Sequence, residues 1–135
     1  MGLFDFLTGG NSDEKRRERC LKKITNMYYQ KADRLAAADQ LADMAAEGDD
    51  RSIAILLKRF EHMAPSTTQD REEKEYVHAL LVDLGDRAKP GVIDYVKRTT
   101  SPVYWPMRVL EELLDAEEMA AFVVDVLEAM DNEYW

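Results

Sequence analysis

The stretch Asp33-Arg34-Leu35-Ala36-Ala37-Ala38-Asp39-Gln40-Leu41-Ala42-Asp43-Met44, followed by Gly48-Asp49-Asp50 and then Ile53-Ala54-Ile55-Leu56-Leu57, decides the fold. Leu35, Ala38, Leu41, Ala42 and Ala45 recur every three or four residues, which is the spacing of one helix face. The alanines at 36 to 38 leave so little side-chain volume that a neighbouring helix can come close. Gly48-Asp49-Asp50 stops this helix. Ile53, Leu56, Leu57, Phe60 and Ala64 then give a second face at i, i+3, i+4, i+7 and i+11. The spacing predicts two antiparallel helices, about 33–47 and 50–63, joined by a tight turn.

The same period runs outward in both directions. Upstream, Leu21, Ile24, Met27 and Tyr28 mark a helix that Ser12 can cap, with Asp13 and Glu14 in its first turn, where the helix dipole favours acids. Gly9-Gly10-Asn11 reads as a hinge before it. Downstream, Pro65 to Gln69 reads as a loop. Asp70 with Glu73 three residues on resembles a capping box that opens a fourth helix. That helix carries Tyr76, Val77, Leu80, Leu81 and Leu84 and ends at Gly85. Pro90 fits the first turn of a fifth, faced by Val92, Ile93 and Val96. Ser101-Pro102 opens a sixth with Leu110, Leu113 and Leu114. A seventh shows Met119, Phe122, Val123, Val126, Leu127 and Met130. The expected core is Leu41, Leu56, Leu57, Phe60, Leu81, Leu84, Val96, Leu110, Leu113, Val123 and Leu127. The chain divides into an apolar peptide with its hinge, 1–11, and a helical domain, 12–135.

Composition agrees. The chain has 135 residues, 46% of them hydrophobic, with four prolines and six glycines, so it can bury one core without staples. Cys20 is the single cysteine, which excludes an intrachain disulfide and suits a reducing cytoplasm. The net charge of −9 argues against nucleic acid and anionic membrane as main partners. Residues 13–34 carry eight Lys or Arg against four acids, whereas 111–135 carry nine acids and no Lys or Arg. Such runs are usually solvated faces. They also make the two ends a candidate contact within or between chains.

The helix pairs repeat. Leu41-x-x-Met44 then Ile53 matches Leu81-x-x-Leu84 then Val92-Ile93, and Leu110-x-x-Leu113 then Met119, at intervals of about 40 and then about 30 residues. With Arg34-x-x-Ala37-Ala38-x-x-Leu41, the glycine break and Ala54-x-x-Leu57, residues 33–60 resemble a HEAT repeat, closest to those of bacterial phycobilin-lyase-type proteins. Residues 72–98 match with Lys74 in place of the arginine, and 103–130 match with Arg108 out of register. The resemblance implies an all-α, short right-handed solenoid of about seven helices with a concave binding surface. It implies no activity, because the fold hosts many.

Residue chemistry commits to no reaction. Glu75-x-x-His78 has the spacing of a di-metal ligand pair but lacks a second copy, and both residues fall off the apolar face. Cys20 lies near Arg16, Arg17 and Lys23, with no histidine near it in sequence. No catalytic residue, metal ligand or cofactor is assigned. The expectation is therefore a cytoplasmic, non-enzymatic scaffold or adaptor for another protein. A lyase- or chaperone-like helper in cofactor attachment is the alternative the resemblance suggests. In a HEAT-like stack the third, fifth and seventh helices line the concave face. Their open positions are Lys58, Glu61 and His62, then Asp94, Tyr95 and Arg98, then Asp125 and Glu128. Tyr95 beside an arginine has the composition of an interface hot spot. Leu3, Phe4, Phe6 and Leu7 form a second candidate, as a peptide that docks on a partner. They also offer the only membrane contact in the chain, a weak one that would make it a peripheral membrane adaptor.

Overall fold

The computed structural model describes the backbone of residues 2–134 and the side chains of 12–130. Among the described residues there are seven α-helices and no strand: α1 Gly2–Thr25, α2 Lys31–Ala46, α3 Asp50–Lys58, α4 Thr67–Leu84, α5 Lys89–Arg98, α6 Tyr104–Leu113 and α7 Ala116–Tyr134. Short 3-10 turns extend α3 over Arg59–Glu61 and α4 over Gly85–Arg87. The helices pack in two rows. Helices α2, α4 and α6 touch in succession in one row, and α3 packs on α5 in the other. Helix α1 lies against both α2 and α3.

Local chemistry sets the boundaries. Gly48, at φ 113°, lets its own N–H reach Ala45 O at 3.0 Å while the Asp49 N–H reaches Met44 O at 3.0 Å, which closes α2. The Asp49 carboxylate then accepts the Arg51 N–H at 3.1 Å and caps α3. Helix α4 starts earlier than the sequence suggests. Ser66 caps it by accepting the Gln69 N–H at 3.3 Å. The reciprocal capping box lies elsewhere, at α7. There Asp115 Oδ1 accepts the Glu118 N–H at 2.8 Å, and Glu118 Oε1 accepts the Asp115 N–H at 3.2 Å. Helix α6 begins at Tyr104 rather than at Ser101. Helix α1 stays helical through Gly9-Gly10-Asn11, where the sequence suggests a hinge.

Most of the expected core is buried. Leu41, Leu56, Leu57, Leu81 and Leu110 are inaccessible and Phe60 nearly so, while Leu84, Val96 and Leu113 are half-buried at its edge. Two expectations fail. Val123 is 41% exposed and Leu127 is 55% exposed. Helix α7 turns Phe122, Met119 and Val126 inward instead, and its Glu118 and Asp125 face Lys89 and Lys97 of α5. At the α3–α5 contact a Cβ on Gly91 would lie 2.9 Å from Ile53 Cγ2, so glycine sets how closely those helices approach.

Charged side chains supply the main surprise. Arg34, Arg59, Asp70, Glu73 and Lys74 are all buried. Arg34 grips Glu73 with two parallel bonds, Nε to Oε1 at 2.6 Å and Nη2 to Oε2 at 2.7 Å. Arg59 Nη2 donates to Asp70 Oδ1 at 2.9 Å, and Lys74 Nζ lies 2.8 Å from Asp70 Oδ2. Three cations against two carboxylates leave one positive charge in excess. Peptide oxygens take up that excess: Arg34 also donates to Met27 O and Tyr29 O, and Arg59 Nη1 donates to His62 O at 2.7 Å. Asp70 further accepts the Ala64 N–H at 2.9 Å. One cluster thus ties the α1–α2 turn, α2, the end of α3, the α3–α4 loop and α4.

Burial alone would raise the Asp70 pKa. The bonds from Lys74, the Ala64 N–H and Arg59 outweigh it and hold the carboxyl below the usual range. A depressed pKa gives stability that is present above the unfolded-state value and lost as pH falls through the folded one. Unfolding by denaturant should therefore show stability falling as pH drops below about 4, the ordinary aspartate value. An Asp70→Asn variant should lack that part of the fall. A second expectation concerns Glu73→Ala, which strands Arg34 and Arg59 without their shared carboxylate. It should cost about 3–5 kcal/mol in a urea titration. A loss under about 1 kcal/mol, the range of an exposed pair, would refute the role given to the cluster.

Candidate functional site

Three grooves follow one another along the α1, α3, α5, α7 side of the molecule. The first, between α1 and α3, is about 250 Å3 and is floored by Leu21, Ala54 and Ile55. The second, between α3 and α5, is about 260 Å3, with Ala54, Leu57 and Gly91 below and Glu61, Tyr95 and Arg98 around it. The third, between α5 and α7, is about 400 Å3 and is bounded by Val96, Arg98, Asp125, Val126 and Met130. Ala54 is shared by the first two grooves, and Arg98 and Thr99 by the last two, so the three form one strip.

Small residues shape the floor. Ala54 borders both the first and the second groove, and Gly91 lets α5 close on Ile53 of α3 beneath the second. The apolar stripes of α3 and α5 face the first row, as Ile53, Leu56, Leu57 and Val92 show by their burial. The opposite positions therefore line the groove, and they bring together Glu61, Asp94, Tyr95 and Arg98. Tyr95 is half-buried and donates its hydroxyl proton to Glu61 Oε2 at 2.8 Å, bridging α5 to the 3-10 turn after α3. Arg98 Nε lies 2.8 Å from Asp94 Oδ1 one turn away, and both are exposed. Asp125 joins the third groove and lies 3.7 Å from Lys97 Nζ. Lys58, His62 and Glu128 border none of the three grooves. His62 enters the structure through its carbonyl, which accepts Arg59.

Of the residues that shape the floor, Leu57 is expected from the sequence only as core, and Ala54, Gly91 and Thr99 are passed over by a reading that looks for charge and aromatics. A separate aromatic cluster was also not assembled from sequence. Trp105 is half-buried and stacks on Phe60 with ring centroids 6.1 Å apart, meets His78 edge-on at 6.3 Å, and lies under the Arg108 guanidinium at 4.7 Å. This cluster accounts for His78, whereas Glu75 pairs with Arg71 at 3.1 Å on the surface. The side chains of Leu3, Phe4, Phe6 and Leu7 lie outside the described residues.

Cys20 is buried, and its Sγ donates to Gln40 Oε1 at 3.2 Å. Burial pushes its thiol pKa up, and the nearby Lys23, Arg19 and Arg16 only partly offset that. Such a thiol is a poor nucleophile. Among the described residues no cluster of His, Cys, Asp and Glu could hold a metal ion, and no helix is long and apolar enough to cross a membrane.

The Tyr95 phenol is pushed up to about 12, by burial first and then by the negative Glu61 carboxylate, against a lowering contact from Thr99. Glu61→Gln keeps an acceptor but removes the charge, so it should lower the Tyr95 midpoint. The readout is the tyrosinate absorbance difference between each protein and its Tyr95→Phe counterpart. A parent Tyr95 titrating near the ordinary value of about 10 would show that the Glu61 bridge does not form in solution. No family model, curated protein or solved structure matches the chain.

Proposed function

We propose that the chain is a non-enzymatic scaffold or adaptor that binds another protein along the strip formed by α1, α3, α5 and α7, as a short right-handed solenoid of HEAT-like pairs would. The observation that carries this reading is the continuity of the three grooves, which offers an extended concave track rather than a closed pocket. Small-molecule sites enclose most of their ligand. Protein-binding repeats instead use long open surfaces read by a few anchors. Tyr95 in the second groove, and Arg98 where the second and third grooves meet, supply an aromatic and an arginine near the centre of the track.

The charges along the track support a peptide-like partner. Glu61, Asp94 and Asp125 alternate with Arg98 and Lys97, so polar contacts of both signs are available beside an apolar floor. The buried, poorly nucleophilic Cys20 and the structural engagement of His78 leave the obvious reactive groups occupied elsewhere in the fold.

The test is affinity capture followed by direct binding. Once a partner has been captured, Tyr95→Ala and Arg98→Ala variants that remain folded by circular dichroism should each weaken its binding by about tenfold or more, the loss of a hot-spot side chain. If both variants bind as the parent does, the strip is not the site. If deletion of residues 2–10 alone abolishes binding, the N-terminal peptide is the site instead.

A further inference from the structure

The turns that join α1 to α2, α3 to α4 and α5 to α6, residues 26–30, 62–66 and 99–103, lie along one edge of the stack. Contacts between the helix ends there show it. Lys31 Nζ reaches Glu72 Oε2 at 2.7 Å, Phe60 stacks on Trp105, and Tyr95 reaches Glu61. The turns after α2, α4 and α6 lie along the opposite edge. There Arg17 Nη1 donates to Asp49 Oδ2 at 2.6 Å, Arg87 Nη1 to Ala45 O at 3.4 Å and Lys89 Nζ to Glu118 Oε2 at 3.3 Å. The two edges differ in apolar content. Tyr28, Met63 and Tyr104 are 98%, 68% and 65% exposed, one at each turn of the first edge, and Tyr29 is exposed beside Tyr28. Among the described residues outside α7, the other exposed large apolar side chain is Tyr76, whose hydroxyl donates to Asp39.

The edges also differ in charge. Over 21–35, 57–72 and 94–108, which form the first edge, eight Lys or Arg that are not buried stand against four such acids. Over 43–54, 80–93 and 109–120, which form the second, eleven acids stand against three cations, and the α1 turns beside them, 13–19, are mixed. The net charge of −9 is therefore the sum of a cationic edge and a strongly acidic one. Distance separates their effects. Helix α2 has 16 residues and so spans about 24 Å, which is about three Debye lengths at physiological ionic strength. A charged surface laid on the first edge meets its cations and is largely screened from the acids behind. Neighbouring helices in a row stand about 8–10 Å apart. Tyr28, Met63 and Tyr104 are thus spaced too widely to stack successive bases, which disfavours single-stranded nucleic acid. Amphipathic tyrosines at the tips of turns, backed by lysines and arginines, have the composition of a bilayer interface.

We propose that this edge is a peripheral contact with an anionic lipid bilayer. The three turns set Tyr28, Met63 and Tyr104 into the headgroup region, and the cations behind them pair with the lipids' phosphates and carboxylates. Reversible anchoring to a membrane surface takes two weak signals together, and this edge holds both, apolar tips and positive charge. The helices then stand up from the surface with the acidic edge outermost. The grooved strip runs along a side of the stack and stays open, so the contact stands whether or not the strip binds a partner. Lys97 and Arg98 belong to both, and the test uses other residues.

Flotation with lipid vesicles tests it. The parent should float with vesicles of phosphatidylcholine mixed with phosphatidylserine, stay behind with phosphatidylcholine alone, and be released by added salt. A Lys22→Gln, Lys23→Gln double variant should bind about tenfold more weakly or worse. So should a variant with Tyr28→Ser, Met63→Ser and Tyr104→Ser that keeps the parent's circular dichroism. Asp43→Asn with Asp83→Asn removes two exposed charges from the far edge and should leave binding within about twofold, because those charges are screened. A parent that ignores the anionic vesicles at low salt would overturn the proposal. Binding that follows net charge whichever edge is altered would also overturn it, as would binding that survives both first-edge variants and is lost on deletion of residues 2–10. Without vesicle binding, a shift of a single-stranded oligonucleotide would assign the edge to nucleic acid instead. Self-association that the lysine variant abolishes would assign it to the acidic edge of a second copy.

Discussion

The fork between Arg34 and Glu73 is the constraint on which the rest of the structure depends. It lies where α2 meets α4, and its carboxylate is 3.6 Å from Arg59, whose other partners are Asp70 and a loop carbonyl. The faces around it are poor in shape. Ala37, Ala38 and Ala45 allow close approach but would allow a neighbouring helix to slide by a turn with little penalty. A two-point bond between a planar guanidinium and a planar carboxylate does not slide. The energetic return of such a cluster is modest, since taking the charges out of water costs much of what their pairing returns. Its contribution is register. It fixes where α4 stands against α2, and through Arg59 and the Ala64 N–H it also fixes where α3 ends and the chain turns back.

That register positions the candidate strip. Glu61 lies two residues after Arg59, in the 3-10 turn the cluster anchors, and it reaches across to Tyr95. Helix α5 is set against α3 by Gly91, which admits Ile53. The buried cluster holds one wall of the central groove and the glycine sets its width. The groove is therefore built by residues that a ligand would never touch, together with a few that it would.

The helices and their inward faces were legible because a helix that must bury one stripe writes that stripe at a fixed period. Leu41, Leu56, Leu57, Leu81 and Leu110 follow from that alone. The charged cluster was not legible as such, because Arg, Asp, Glu and Lys ordinarily mark the solvated side. Yet its signal was in the same period. Arg34 stands three and four residues before Ala37 and Ala38, in line with Leu41. Lys74 and Asp70 continue the Val77–Leu81 stripe backward by one turn and then another. A charge on the apolar stripe, matched by an opposite charge on the stripe of the next helix, is the pattern that separates a buried pair from a surface one. The exposure of Val123 and Leu127 was not legible for a different reason. Helix α7 carries two seams of equal spacing, and only the packing decides which of them the fold covers.

The two ends of the stack meet solvent in different ways. Helix α1 presents a polar outer face there, with its run of lysines and arginines, and α7 does not. Among the described residues, what holds α7 to the molecule is also slight: Phe122 with Met119 and Val126, and two partly exposed ion pairs to α5 of a kind worth roughly 0–1 kcal/mol each. Burying side chains such as Leu127, Val123 and Met130 on the outer seam would contribute roughly 1.5–3 kcal/mol each if complete, as much as the inner seam provides. The order of α7 and the occupancy of its outer face are therefore linked, since whatever covers the outer seam also stabilises the helix against the fold. The third groove lies between α5 and α7, so the same linkage extends to that end of the strip. A contact on the back of α7 would firm the wall of the groove on its front.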